Sequence, residues 1–278
     1  MRGSTHLPNL SILPVNRLRL HESCDERRVD ALAKRLLEEK RLKNPPVVTP
    51  LPDSNDFMVL DGANRVSTFA RLKIPHIVVQ VVSYDDPGIE LNTWYHVVAG
   101  MPQRTFSAAL DAVPNLQLET CTIEGARQTV ALGDAIAYII CADAVYLVRN
   151  HDPETGSEIR LLNDLVGAYK GKANIYRASN DDFQKQAPTY PDINALVVFP
   201  AYRPADLIGL VRRGEVVPSG ITRHIIPERA LRINVPLSIL EAEGNLEEKQ
   251  AWMQQWWRDQ LDRNAIRFYA ESTFLFDE

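Results

Sequence analysis

The sequence predicts a mixed α/β protein, in one large domain or two modest ones. Two observations carry this. Apolar, β-rich runs at 57–60, 77–82 and 194–199 alternate with segments whose apolar residues recur at helical spacing. After Tyr84 the turn cluster Asp85-Asp86-Pro87-Gly88 interrupts the pattern, and the rest of the chain has a different rhythm.

The elements follow in order. Leu18 and Leu20 alternate with Arg17 and Arg19, so 9–20 reads as a strand or strand–turn pattern. Val29, Leu32, Ala33, Leu36 and Leu37 form a helical stripe. Asp25 and Glu26 lie at its start and Lys40, Arg41 and Lys43 at its end, as the helix dipole favours. Pro45-Pro46 stops it. Strands are expected at 47–49 and 57–60, separated by a turn at 52–56. Asp61-Gly62 ends the second, and Val66, Phe69 and Ala70 place a helix over 63–72, closed by Pro75. The run at 77–82 suits a buried strand. The first 85 residues therefore read β-α-β-β-α-β.

In the second part, Thr93-Trp94-Tyr95-His96 lies on a β-rich stretch, and its aromatics suit either a core or a pocket wall. Residues 101–130 read as a helix or two, one of them at 107–113, with a strand around 117–123. Two strands flank Cys141-Ala142-Asp143. A helix spans 159–169, a polar loop 178–192, a strand 194–199, and a helix 204–213 ended by Gly214. Residues 220–224 read as a turn and 231–235 as a strand. A long helix covers 246–264, with Trp252, Trp256 and Trp257 on an inward face. There are no repeats.

Charge and cysteines narrow the function. With 36 acidic against 31 basic residues the net charge is −5, which argues against a dedicated nucleic-acid binder. The three cysteines have no C-x-x-C spacing, so neither a disulfide scaffold nor a zinc site is indicated. The first fifteen residues hold no leader-like apolar stretch, and no apolar run approaches the roughly 18 residues of a membrane span. A soluble, cytoplasmic protein is expected.

Three constellations are chemically suggestive. In Val59-Leu60-Asp61-Gly62-Ala63-Asn64-Arg65 a strand delivers a glycine turn that opens a helix. The free N–H groups and positive dipole end there favour an anion. Arg65 can fork onto a phosphate, and Asp61 stands where α/β sheets present ligands. Read alone, Asp61-Gly62 is also a plain turn with a solvated arginine. His21-Glu22 ends a strand before the first helix; Glu22 is either a dipole-stabilised carboxylate or a partner of Asp61 in one pocket. In Gly220-Ile221-Thr222-Arg223-His224, a hydroxyl, a guanidinium and an imidazole follow a glycine, as in a phosphate clamp or an ordinary hairpin.

Taken in order, Leu20-His21-Glu22, Asp61-Gly62-x-x-Arg65, Thr93-Trp94-x-His96 and the stretch 214–240 resemble the free L-serine kinases of the ParB/sulfiredoxin superfamily, both the siderophore-biosynthesis type of staphyloferrin B and the archaeal ADP-dependent type. The resemblance covers most of the chain, residues 100–190 least. It implies a ParB/sulfiredoxin-like nucleotide-binding domain over 1–98 and an α/β domain over 99–278, with the active site in the cleft between them. It implies transfer of the terminal phosphate of ATP or ADP to the serine hydroxyl, with Mg²⁺. By the same resemblance Asp61 takes the hydroxyl proton, and Glu22, with His21, orients serine. Gly62, Ala63, Asn64 and Arg65 bind nucleotide phosphates, Trp94 lines the serine pocket, and Thr222, Arg223 and His224 clamp the transferred phosphate.

One position departs from the family. The kinases carry His where this chain has Asn64, which donates a hydrogen bond but cannot titrate. A siderophore-type member also binds haem; here Cys24, Cys121 and the six histidines make no ligand pattern. The alternatives are a ParB-like regulator, which needs a helix-turn-helix after the first domain, a sulfiredoxin-like reductase, which needs a cysteine at the phosphate turn, and a ligand sensor without turnover.

Overall fold

The computed structural model describes residues 7–152, 157–242 and 244–269. Part of the leader expectation falls on residues 1–6 and lies outside this range. The chain forms two compact units. The first comprises Met1–Arg19, Cys24–Gly88 and Ile226–Glu278; the second comprises Leu20–Ser23 and Ile89–Ile225. Chain order is therefore not unit order: four residues of the early chain join the second unit, and the late chain returns to the first.

The first unit is built on a five-stranded sheet. Its strands are β1 (Leu10–Pro14), β2 (Leu18–Leu20), β4 (Val47–Pro50), β5 (Phe57–Asp61) and β6 (His76–Val81), in the order β1-β6-β4-β5-β2. β4 runs parallel to β6, while β1 is antiparallel to β6 and β5 to β4. Of the strand or strand–turn pattern expected over 9–20, the second form is found: β1 and β2 are joined by a single 3-10 turn at Val15–Arg17. β6 lies between β1 and β4, and Ile77, Val78 and Val79 are fully buried, as an uninterrupted apolar run requires. Gln80 is buried among them.

Helix α1 (Glu26–Glu39) starts at Asp25, whose carboxylate accepts from the N–H groups of Arg27 and Arg28. It ends at Lys40 in the left-handed conformation. The residues after it form β3 (Arg41–Leu42), paired with β15 (Val235–Pro236). Helix α2 (Ala63–Arg71) packs on α1. The strand expected at 231–235 is reduced to that short β15. Arg232 and Asn234 take positive φ, which breaks a pleat.

At the C-terminal end of this unit, α8 (Leu237–Glu241) precedes α9 (Leu246–Asp262), which packs on β1. The buried face of α9 is carried by Lys249 and Met253 rather than by the tryptophans. Lys249 reaches the carbonyls of Leu240 and Ala242 and the ring of His76, so its ammonium is satisfied while its stem packs. Trp252, Trp256 and Trp257 are half-buried and stack along the helix, with ring centroids 6.4 and 6.0 Å apart.

The second unit holds a six-stranded antiparallel sheet. Its strands are β8 (Tyr95–Ala99), β9 (Leu116–Cys121), β10 (Ala137–Ile140), β11 (Val145–Asn150), β12 (Asn174–Ala178) and β13 (Ile193–Val198), in the order β12-β8-β13-β10-β11-β9. Helices α3 (Gln103–Asp111), α4 (Ile123–Leu132), α5 (Glu158–Tyr169), α6 (Phe183–Gln186) and α7 (Pro204–Arg212) complete it. Leu162, Leu165 and Tyr169 of α5 anchor its core.

Two differences from the sequence reading stand out. The polar loop expected at 178–192 contains α6. Residues 220–224, expected as a turn, lead into a strand, β14 (Thr222–Ile225), which pairs with β7 (Glu90–Thr93). α3 and α4 are separated by β9, and α5 is flanked by strands, so the described residues of 100–190 contain no helix-turn-helix.

Candidate active site

In the first unit β5 ends on Asp61, and Gly62 turns the chain into α2 with φ +97°. Two constraints select glycine here. The left-handed backbone disfavours any side chain. A Cβ would also lie 3.0 Å from the Arg65 guanidinium and from Pro46 Cα. The Gly62 carbonyl accepts from the Val66 N–H, which leaves the earlier N–H groups of the helix without intrahelical partners. This is the strand–glycine–helix turn expected from the sequence.

The side chains around the turn are committed in ways the sequence did not show. Arg65 folds back over Gly62. Its Nη1 donates to the carbonyls of Asn44 (2.9 Å) and Pro45 (3.3 Å), and its Nη2 to Asp61 Oδ2 (2.6 Å). Arg65 therefore braces the turn instead of reaching outward. Asn64 Oδ1 accepts from the Asp25 N–H at 2.9 Å, tying the start of α2 to the cap of α1.

A second guanidinium, Arg229, also donates to Asp61 Oδ2. Burial pushes the Asp61 carboxyl up, but the charges of Arg65 and Arg229 and their hydrogen bonds outweigh this and hold it below the ordinary value. Arg229 sits on a pinned loop. Buried Gln80 donates to the Glu228 carbonyl and accepts from the Ala230 N–H, and Asn44 Oδ1 accepts from the Arg232 N–H. Glu228, Arg232 and Asn234 all take positive φ, each at a cost of about 1–2 kcal/mol that these bonds offset.

In the second unit Glu22 forms a parallel bridge with Val217. Its carboxylate accepts from the N–H groups of Gly220 (3.0 Å) and Thr222 (2.7 Å) and from the Thr222 hydroxyl. A carboxylate only accepts, so that hydroxyl donates to Glu22, and His21 Nε2 at 2.8 Å must carry the proton toward Thr222 Oγ1. The same turn is fixed from other directions. Gly220 has φ +84°, and a Cβ there would meet Arg177 Nη2 at 2.7 Å. His96 is buried, 2.9 Å from the Tyr169 hydroxyl through Nδ1, and hydrogen-bonds the Gly220 backbone. Burial, helped by Arg177 and Lys170, lowers its pKa to about 3, so it stays neutral.

Because 222–225 is a strand, neighbouring side chains point to opposite faces. Thr222 and His224 share one face with His21, whose ring stands edge-on to His224 at 5.2 Å. Arg223 lies over the Trp94 ring at 4.2 Å. The three residues expected as one clamp therefore divide into a His21-Thr222-His224 group on Glu22 and an Arg223-Trp94 cation–π pair.

Arg229, Gln80, Asn44 and Arg177 were missed by the sequence reading. Only Gln80 left a signal, as a polar residue inside an apolar strand. Among the described residues no three His, Cys, Asp or Glu side chains gather to hold a metal ion. No described helix is long and apolar enough to cross a membrane.

No protein-family model matches the chain. Whole-chain comparisons are informative. An ATP-dependent L-serine kinase of Staphylococcus aureus, SbnI, is 25% identical over 274 residues, covering 97% of this chain and 98% of the relative. An ADP-dependent L-serine kinase, SerK, of Thermococcus kodakarensis is 18% identical and covers 82% of this chain and 91% of the relative. The solved structure of C-terminally truncated SbnI superposes with a TM-score of 0.73 at 21% identity, over 91% of this chain and 97% of that one. A free serine kinase in complex with AMP gives 0.73 at 16% identity, over 86% and 97%. This chain resembles L-serine kinases along nearly its whole length and has their fold.

Proposed function

We propose that the chain is a free L-serine kinase, transferring the terminal phosphate of ATP or ADP to the serine hydroxyl to give O-phospho-L-serine. The observation that carries this reading is the full-length likeness, in sequence and fold, to proteins named as L-serine kinases. The absence of a helix-turn-helix among the described residues of 100–190 favours it over a ParB-like regulator.

The geometry supports a division of labour. The N–H groups at the start of α2, with the surplus positive charge of Arg65 and Arg229 over Asp61, suit the nucleotide phosphates. In the transfer the serine oxygen–phosphorus bond forms and the nucleotide's terminal phosphorus–oxygen bond breaks. Asp61 accepts the hydroxyl proton. A carboxylate held below its ordinary pKa is a weak base, but a loose phosphoryl-transfer transition state asks for orientation more than basicity.

Arg223 over Trp94 suits an amino acid, the guanidinium facing its carboxylate and the indole its methylene. Glu22 acts through the backbone: it fixes the Gly220–Thr222 turn and so aims Thr222 and His224. Mg²⁺ would be held mainly by the nucleotide's own phosphates and water, since the described residues offer no carboxylate cage and Asp61 Oδ2 is already taken. It would neutralise phosphate charge.

The test is incubation with Mg²⁺, L-serine and either ATP or ADP, with mass detection of O-phosphoserine. Product with one nucleotide, lost in Asp61→Asn, supports the reading and names the donor. No product with either sinks it.

A further inference from the structure

Asp61 carries more cation than one carboxylate needs. Two guanidiniums converge on Oδ2, and they are held very differently. Arg65 has two backbone carbonyls as further acceptors and lies across Gly62, so it cannot leave without rebuilding the turn. Arg229 makes its side-chain hydrogen bond to Asp61 alone among the described residues, and a third of its side chain is exposed. Its backbone neighbours are fixed by Gln80 and Asn44, so its side chain can swing while its loop stays in place.

We propose that Arg229 is an exchangeable phosphate-binding residue, passing its guanidinium between Asp61 Oδ2 and a phosphate oxygen of the nucleotide. This rests on the kinase reading and adds to it a named residue and a reason for the paired arginines. When Arg229 turns to phosphate, Asp61 keeps Arg65 and regains lone pairs for the serine hydroxyl. Nucleotide binding and exposure of the proton acceptor are then one event. Arg65 and Arg229 are the charged groups that face Asp61 in this arrangement.

The experiment compares wild type, Arg229→Gln and Arg229→Lys in the full-length protein, with circular dichroism as the folding check. It measures ADP affinity by calorimetry and the pH profile of kcat/KM for the nucleotide, which reports the nucleotide-free enzyme in which Arg229 lies on Asp61. The expectation for Arg229→Gln is ADP binding weakened about 10- to 100-fold, and an acidic limb of the profile moved to higher pH because Asp61 has lost one cation. Arg229→Lys should recover part of the affinity. ADP affinity within twofold of wild type in a folded Arg229→Gln, with an unmoved profile, would overturn the proposal. The kinase reading fails separately: if wild type makes no O-phosphoserine but binds ADP, weakened binding in Arg229→Gln still supports the exchange. If wild type does not bind ADP at all, the exchange is overturned as well.

Discussion

The carboxylates of Asp61 and Glu22 are wired in opposite ways. Asp61 faces cations: two guanidiniums share one of its oxygens, leaving local positive charge in excess. Glu22 faces the backbone: both its oxygens accept from the N–H groups and hydroxyl of one turn. The first arrangement is electrostatic and exchangeable, suited to a ligand of opposite charge. The second is a fixed clamp whose product is the position of other residues. Two acidic residues that look alike in the sequence thus have different work, and substitutions should separate them.

The largest effect should come from Asp61→Asn. Serine phosphorylation should fall about 100- to 1,000-fold, while nucleotide binding, measured by calorimetry, tightens because two guanidiniums lose their competing anion. Weaker nucleotide binding would place Asp61 among the phosphate ligands and break the contrast. Glu22→Gln should act in the other sense. One turn donor loses its acceptor, so urea unfolding should show a loss of about 1–3 kcal/mol, with the KM for serine raised and nucleotide affinity unchanged. A nucleotide-binding defect in that variant would show that Glu22 is not confined to the turn.

Gly62→Ala should destabilise by about 1–3 kcal/mol, because it strains φ +97° and displaces the Arg65 brace; thermal melting at neutral pH checks this. The smallest effect is in pH. The Asp61 carboxyl is depressed in the folded chain, so its ion pairs contribute fully above the unfolded carboxyl value of about 3.9 and are lost as pH falls through the lower folded value. Urea midpoints of wild type and Asp61→Asn should differ at pH 6 and converge below that range.

The same contrast explains how much was legible in the sequence. The strand–glycine–helix turn at Asp61–Arg65 is local, and its backbone could be read from spacing alone. So could α1, β6 and α5, whose apolar periodicities are strong. What makes the turn an Asp61-centred charge cluster is Arg229, 168 positions away. The partners of Glu22 lie about 200 positions on, and no local pattern joins them. β14 was hidden for a related reason: Thr222, Arg223 and His224 are polar, and the strand is stabilised by pairing with β7 rather than by an apolar face. β12 is a mostly exposed edge strand without alternation. The tryptophans of α9 misled because aromatic bulk suggested the inward face, while a buried lysine with three acceptors took that place.

The central claim is that this chain moves phosphate from a nucleotide to free serine. Phosphorus-31 NMR of the full-length protein with Mg²⁺, L-serine and ATP or ADP tests it most directly. The account predicts a growing phosphomonoester signal that coincides with that of added O-phospho-L-serine, matched mole for mole by loss of the nucleotide's terminal phosphate. Nucleotide that remains intact in both mixtures, or that yields only inorganic phosphate, would contradict it.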